Sequence, residues 1–398
     1  MRYKILVLPV LILLFSSCSS SDTTEESYGQ QFQLSWELAD SLDLEYLGIP
    51  MLTDVSSEGS KLIFFDFPSN EIIITDAEGK IIHTFSKEEG DTPDVYGFKL
   101  ESPGFYGEDQ LAVFGANGLF IYDLDGTMVK KISHPESLST LSSRTIIGKS
   151  LESATISDKT YLLPISVRPD NSFPGEQEFY EEYRALELVD VANETMTEII
   201  PFEKGSHFLN GKGFNPSDYN PAYEANGETL YVVHGGDPQL YVYQLSTAAA
   251  KLDTVIQLNI PGFLKPEGKE REKFKDGKIE NRGGTAAIRN IHILDDLLLL
   301  NFYSGRDPVK SKEVEALWMD GKEEEARAMS LKIEEEVSKG TLVYDLADLN
   351  YLGTLPLPTN TVGQTYASGG GFAWFQRLGD PDIEEDFLRI YKMKLTKK

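Results

Sequence analysis

Cysteine is nearly absent from this chain of 398 residues, which contains only Cys18. A disulfide within the chain is therefore excluded, and the stability of the fold must come from the burial of apolar side chains. The five histidines are scattered without the spacing of a metal-binding motif. Sequence distance alone does not rule out a metal site, because a repeat fold can gather distant residues.

Positive charge is also scarce. Lysine and arginine number 37 against 64 aspartates and glutamates, which gives a formal net charge of −27. An acidic surface of this kind repels phosphate backbones and anionic headgroups. Nucleic acid is therefore not predicted as a partner, and contact with a membrane is predicted only through a lipid anchor.

Long hydrophobic runs are missing as well. One short run, Ile5–Phe15, follows the basic residues Arg2 and Lys4 and leads through two serines into Cys18. A run of this length is typical of an export signal and is too short to span a membrane. The segment resembles a bacterial lipobox, although Phe15 stands where that pattern prefers Leu. The resemblance implies that Cys18 is lipidated, which would exclude it as a nucleophile. The alternative is an ordinary signal peptide followed by a chance cysteine.

The chain after Cys18 divides into a short tether and one large domain. Residues 18–30 are polar and acidic, which predicts a disordered tether after the signal peptide of residues 1–17. Residues 31–398 contain short apolar runs separated by turn clusters, a pattern typical of an all-β repeat fold. The most apolar runs begin at Leu62, Leu111, Tyr161, Leu230, Leu297 and Phe372. Six such units predict a six-bladed β-propeller, and a pair of β-sandwiches is the structural alternative.

Two segments lie outside the regular repeat. The last repeat ends after three strands, and Phe32–Ala39 alternates like a strand that could supply the fourth and close the ring. The segment of about 308–340 is rich in Glu, Lys, Ala and Met, with apolar residues at helical spacing such as Val314 and Leu317. It predicts a helical insertion in blade five.

A family resemblance follows from these features together. The lipobox, the six repeats and the phrase FSKEEGDTPDVYGF from Phe85 resemble the uncharacterised six-bladed propeller lipoproteins of Bacteroidetes. The resemblance implies the same fold and a place in the cell envelope, on the outer membrane. No catalytic residue set comes with it.

Motifs of known enzymes are also missing. The sequence has no GxSxG, HExxH or Walker pattern, and no cofactor is predicted. Asp123 and Asp125 suggest a calcium loop at first sight, but Thr127 and His134 occupy positions where that motif needs ligands. A hairpin turn with Gly126 at positive φ explains these residues better.

The long segments all fall on one side of the predicted disc, where binding loops usually reside. They are Arg168–Tyr183, Phe202–Tyr219, Pro261–Ala287 and Asp307–Gly340. Polar residues recur on that side just after the second strand of five of the six blades. The candidate ligand-binding residues are Arg168, His234, Asp237, Arg306, Arg377 and Asp380. Arginine forks favour planar anions, so an acidic glycan or a peptide carboxylate is the predicted ligand class. The simpler explanation is that such residues form turns.

Two functions therefore remain open. The first is a monomeric, non-enzymatic propeller of the cell envelope that binds a glycan, a peptide or an envelope protein through its loop-rich side. The second is a hydrolase or lactonase with a divalent metal in the central channel. Its ligands would come from the innermost strands, and the candidates are Glu101, Glu152, Glu224 and Asn290.

The lipid anchor can be tested directly. We expect Cys18→Ser to move the protein from the membrane fraction to the soluble fraction and to abolish labelling with a fatty-acid analogue. A variant that keeps both the acyl label and its membrane association would contradict the lipobox interpretation.

Overall fold

The computed structural model describes residues 34–138, 149–168, 172–277, 284–379, 383 and 385–397. Cys18, the tether and the candidate residue Asp380 lie outside these ranges. In the part of the chain that is described, no helix is long and apolar enough to cross a membrane.

The strands form six separate sheets of four strands each, which confirms the prediction of a six-bladed propeller. Blade one consists of β2 (Pro50–Val55), β3 (Lys61–Asp66), β4 (Glu71–Asp76) and β5 (Ile81–Phe85). Blade two consists of β6 (Gly104–Phe105), β7 (Gln110–Gly115), β8 (Gly118–Asp123) and β9 (Met128–Ile132). Blade three consists of β10 (Glu152–Ile156), β11 (Lys159–Leu163), β12 (Leu186–Asp190) and β13 (Thr195–Ile199). Blade four consists of β14 (Pro221–Asn226), β15 (Thr229–His234), β16 (Gln239–Ser246) and β17 (Ala249–Gln257). Blade five consists of β18 (Ala287–Leu294), β19 (Leu297–Tyr303), β20 (Lys339–Asp345) and β21 (Tyr351–Leu355).

Blade six combines both ends of the chain. Its strands are β22 (Thr361–Gly369), β23 (Phe372–Arg377), β24 (Leu388–Lys397) and, outermost, β1 (Leu34–Leu44). Strand β1 runs antiparallel to β24, with Leu34 opposite Lys397 and Leu44 opposite Leu388. The Trp36 ring packs edge-on against Phe375, with 5.3 Å between centroids. The first strand of the described chain is therefore also the last strand of the ring.

We label the four strands of each blade A to D from the channel outward. Because neighbouring strands are antiparallel, the A–B and C–D turns lie on one face of the disc, here the turn face. The B–C loops and the connections between blades lie on the opposite face, here the loop face.

The core lies between the blades. The B strand of blade five, β19, is buried along its whole length, and β3 is buried at every residue except Lys61. Side chains of neighbouring blades interleave, as where Phe65 and Ile74 of blade one meet Val113 and Phe120 of blade two. Each large apolar side chain buried in this way contributes roughly 1.5–3 kcal/mol.

The innermost strands of blades one and five each contain a β-bulge. In blade one the register shifts between Leu52 and Asp54, and in blade five it shifts between Ile288 and Asn290. A bulge adds one residue to a strand and reverses the direction of the side chains that follow it. As a result Leu52 and Val55, three residues apart, both enter the same core cluster, and Asp54 faces the channel.

The Asp123–Gly126 segment is a hairpin turn. The Gly126 amide donates to the Asp123 carbonyl over 2.9 Å, and Gly126 has a φ of 83°. A Cβ at this position would lie 2.7 Å from the Phe85 ring. Glycine is therefore required both by the backbone and by the close approach of blade one.

Among the described residues, four α-helices lie on the loop face: α1 (Gln177–Glu182), α2 (Pro216–Tyr219), α3 (Pro308–Met319) and α4 (Glu323–Glu336). Helices α3 and α4 form a hairpin inserted between the B and C strands of blade five. Asp307 caps α3, since its Oδ1 accepts from the Val309 amide at 2.8 Å. Sequence patterns do not predict α1 and α2, because helices of six and four residues are too short to show a helical period.

Closure of the ring predicts a global effect of local truncation. We expect deletion of residues up to Leu44 to lower the melting temperature of the whole domain by roughly 10 °C or more, since β24 becomes an open edge and Trp36 is lost. Deletion up to residue 33 is the control and should leave the melt unchanged. Equal melting temperatures for the two truncated forms would show that β1 does not close the ring.

Candidate functional site

A cavity of about 320 Å³ lies in the central channel. It is surrounded by the A strands and opens toward the turn face, since Ser57, Gly107 and Thr160 lie in or beside the A–B turns of blades one to three. Besides Ser57 and Thr160, the polar and ionisable side chains that line it are Thr53, Asp54, Lys149, Ser150, Glu152, Ser153, Thr155, Glu224, His292 and Ser368. A cavity of this size suits a ligand comparable to a monosaccharide or a disaccharide.

Lys149 reaches across this channel. It precedes β10 in blade three, and its Nζ lies 2.7 Å from Glu152 Oε1, contacts Glu224 of blade four, and donates to the Ile291 carbonyl of blade five over 3.2 Å. Only 5% of the side chain is exposed. One ammonium group thus links three blades at the axis.

The ionisable groups of this cluster shift one another's pKa values. Burial raises the pKa of Glu224, and the nearby Glu152 raises it further, against the opposing effect of Lys149. Burial alone would lower the pKa of Lys149, but the two glutamates outweigh it and the pKa rises. The lysine therefore stays charged. Its positive charge attracts Glu152 and Glu224 and keeps both side chains beside it.

Asp54 adds a third carboxyl group on the blade-one side. Its Oδ1 accepts from the Val55 amide at 2.8 Å and its Oδ2 accepts from the Phe105 amide at 2.7 Å. Burial raises the pKa of Asp54 to about 7, and the charge of Glu152 also raises it, whereas the two backbone hydrogen bonds lower it. Asp54 consequently titrates close to neutral pH.

His292 completes the lining on the blade-five side. Its ring is buried, lies 4.2 Å from the Tyr366 ring centroid, and places Nδ1 3.4 Å from the Ser368 hydroxyl. Burial and then the charge of Lys149 lower its pKa well below the usual value. The imidazole is therefore neutral. Its Nε2 has no hydrogen-bond partner within the described residues and can serve a ligand or a water molecule.

Among the described residues, no group of three or more His, Cys, Asp and Glu side chains is arranged to hold a metal ion. The Lys149 ammonium also lies between Glu152 and Glu224, where a divalent cation would need to bind. These residues therefore do not fit the metal that the hydrolase hypothesis requires. Carboxylates, hydroxyls and a neutral imidazole can instead accept hydrogen bonds from the hydroxyl or amine groups of a ligand.

Two of the four residues that the sequence predicted for the central channel line the cavity. Glu152 and Glu224 line the cavity, whereas Glu101 and Asn290 are buried outside it. A Glu101 Oε1 atom accepts from the Ile165 amide and so links blade three to the segment before β6.

The three predicted arginines of the loop face lie in separate blades, each beside a glutamate. Arg168 makes a two-pronged contact with Glu187 of its own blade, with both N–O distances 2.8 Å. Arg306 pairs with Glu334 of α4 at 2.7 Å, and Arg377 pairs with Glu385. The structure thus does not bring these guanidinium groups into contact with one another. Their role in ligand binding stays a prediction.

His234 and Asp237 do lie together. The Asp237 amide donates to the His234 carbonyl over 2.8 Å, and both side chains are fully buried. Asp237 Oδ2 accepts from the Ser206 hydroxyl, the His207 amide and the Tyr241 hydroxyl at 2.9–3.1 Å. These bonds hold the connection between blades three and four in place. Burial lowers the pKa of His234 to about 4.

The raised pKa of Asp54 predicts a pH dependence of stability. A carboxyl group whose pKa is raised by folding favours the folded state when protonated, so its contribution falls as the pH rises from about 4 to about 7. Between pH 5 and pH 8 we expect the wild type to lose on the order of 2 kcal/mol of unfolding free energy relative to Asp54→Asn. Denaturant titrations at several pH values measure the difference. Asp43→Asn, which removes an exposed carboxylate whose pKa is lowered by Arg389, is the control. Parallel pH profiles for wild type and Asp54→Asn would contradict this assignment.

Comparison with known proteins gives the fold and little more. No protein-family model and no curated protein matches this sequence. A solved member of the DUF4221 family from Bacteroides vulgatus is 13% identical, with a TM-score of 0.61 over 93% of this chain and 100% of that chain. A putative exported protein from Bacteroides fragilis is 11% identical, with a TM-score of 0.53 over 91% of this chain and 95% of that chain. The chain is thus a six-bladed β-propeller similar in fold to uncharacterised propellers of Bacteroides.

Proposed function

We propose that this chain is an exported, lipid-anchored propeller that binds a small ligand rich in hydroxyl or amine groups within the channel cavity. The observation that carries the proposal is the cluster of Asp54, Lys149, Glu152 and Glu224 around that cavity. A sugar or an amino sugar has the size and the hydrogen-bond donors that this lining can satisfy.

The cluster is costly to the fold. Moving a charged group out of water costs several kcal/mol, and replacing a buried ion pair by apolar side chains is often neutral or stabilising. The blades are already held together by the apolar cores between them and by the pairing of β1 with β24. Buried ionisable groups with shifted pKa values in a cavity are typical of functional sites. The charges are therefore better explained by a ligand than by stability.

Export is supported by two independent observations. The segment from Arg2 to Cys18 has the layout of an export signal ending in a lipobox. One protein of similar fold, from Bacteroides fragilis, is described as a putative exported protein. The fifteen residues between Cys18 and Leu34 would span at most about 50 Å. This distance leaves room for a small ligand to reach the turn face.

The ligand class can be tested by calorimetry on the mature domain. The probes are D-glucose, D-glucosamine and D-galacturonate, and we expect the neutral or amino sugar to bind and the acidic one to be rejected. Glu152→Gln and Glu224→Gln each replace an acceptor oxygen of the cavity by an amide nitrogen without changing its shape. Each should weaken binding roughly fivefold, as expected for the loss of a hydrogen bond worth about 1 kcal/mol.

Loop-face variants provide the matched controls. Arg168 and Arg306 lie on the opposite face, so Arg168→Ala and Arg306→Ala should leave sugar binding unchanged. Binding of galacturonate that is lost in Arg306→Ala and kept in Glu224→Gln would place the site on the loop face instead. No heat of binding with any of the three sugars would overturn the proposed ligand class.

A further inference from the structure

The helical hairpin of blade five presents apolar side chains to solvent. Val309, Trp318, Met319 and Leu331 are 65%, 43%, 80% and 67% exposed. A groove of about 320 Å³ lies between the two helices and is lined mainly by Val314, Trp318, Met319 and Ile333. This volume is sufficient for one or two large apolar side chains of another molecule.

The hairpin is held firmly on its blade by other residues. Glu334 of α4 accepts from Arg306 Nε and from the Tyr303 hydroxyl, both over 2.8 Å, and pairs with Lys339 at the start of β20. Ile333 and Ala326 supply the buried contacts of α4. Trp318 and Met319 are thus not needed to attach the insertion, and their exposure is left without a structural reason.

The hairpin around the groove is acidic overall. Residues 307–336 contain ten aspartates and glutamates against five lysines and arginines. Glu315 of α3 lines the groove, as does Arg306, whose charge is offset by its ion pair with Glu334. An apolar groove with an acidic rim is complementary to an apolar side chain flanked by lysine or arginine.

The same charge disfavours two other occupants. A second copy of this chain brings a net charge of −27. The chain's own tether, Ser19–Ser27, contains three acidic residues and no basic one. Both would meet the hairpin with like charge, which costs binding energy.

The hairpin also lies on the face opposite the start of β1. Leu34 pairs with Lys397, at the end of β24 on the turn face, whereas α3 and α4 belong to a B–C connection on the loop face. A chain anchored through its N-terminal segment therefore leaves the hairpin accessible from the side away from the anchor.

We infer that the hairpin is a docking site for a basic, amphipathic segment of a partner protein, which inserts an apolar side chain between α3 and α4. Recognition combines this insertion with ion pairs to the glutamates of the rim. The site is separate from the channel cavity and does not depend on the ligand proposed for it.

Two model peptides test this inference. Both are amphipathic fifteen-residue helices with the same leucine positions, and their polar positions are filled with lysine in one and glutamate in the other. Fluorescence polarisation of labelled peptide, together with a blue shift of Trp318 emission, reports binding. We expect the lysine peptide to bind, to weaken at least tenfold between 50 mM and 500 mM salt, and to bind more tightly than the glutamate peptide by a similar factor.

Three variants make the test specific. Met319→Ser removes an exposed apolar side chain and should weaken the lysine peptide severalfold without changing the melt. Leu47→Ser removes an equally exposed apolar side chain elsewhere, since Leu47 is 86% exposed, and should have no effect. The third variant replaces 307–336 by a short Gly-Ser linker, which is feasible because the Ser304 amide donates to the Ser338 carbonyl over 2.9 Å. It should melt cooperatively and fail to bind.

Other results would overturn the inference. Equal binding of the lysine and glutamate peptides, or equal losses in Met319→Ser and Leu47→Ser, would indicate general stickiness. Concentration-dependent dimerisation that disappears in Met319→Ser would identify a second copy as the occupant. Unchanged binding in the linker variant would place the peptide elsewhere on the acidic surface.

Discussion

The pairing of β1 with β24 is the interaction on which the rest of this propeller depends. Each blade buries its faces against its two neighbours, so an open ring would expose the sides of two blades and leave β24 as a free edge. Strand β1 prevents this by joining the first described residues to the last over ten paired positions, from Leu34–Lys397 to Leu44–Leu388. The ring can then be closed without a disulfide, which a chain with one cysteine could not form.

A closed ring brings six innermost strands together around one axis, and their side chains must either pack or form a cavity. Here they do both. Tyr223 and Tyr366 are buried behind the lining, and carboxyl groups, hydroxyls and one imidazole face the open space. Lys149 offsets part of the resulting repulsion by pairing with Glu152 of its own blade and Glu224 of blade four. Burial and then the charge of Glu152 raise the pKa of Asp54 and of Glu224.

The sequence predicted strands and inward-facing residues well where side chains alternate regularly between the two sides of a strand. The B strands are apolar runs, so their number and positions predict the six blades, and the A strands of blades three and four revealed Glu152 and Glu224. Asp54 and His292 were missed because each follows a β-bulge, and one extra residue reverses the inward and outward directions that a pattern assigns. Lys149 was missed because it precedes its strand. The arginines of the loop face were predicted as a recurring feature, but the sequence does not indicate that each pairs with a glutamate, namely Glu187, Glu334 or Glu385.

The two faces of the disc differ in ways that follow from its topology. Short A–B turns leave the channel mouth uncovered on the turn face, so a small ligand can enter there and a protein surface finds few loops to contact. The loop face has the opposite character, because B–C loops and blade connections can lengthen without disturbing the ring. The hairpin of blade five is an insertion of this kind. Its ends meet at Ser304 and Ser338, and the apolar groove lies between its two helices, away from the core of the ring. The small-molecule site proposed at the axis and the docking site inferred on the opposite face can therefore coexist without competing for the same residues.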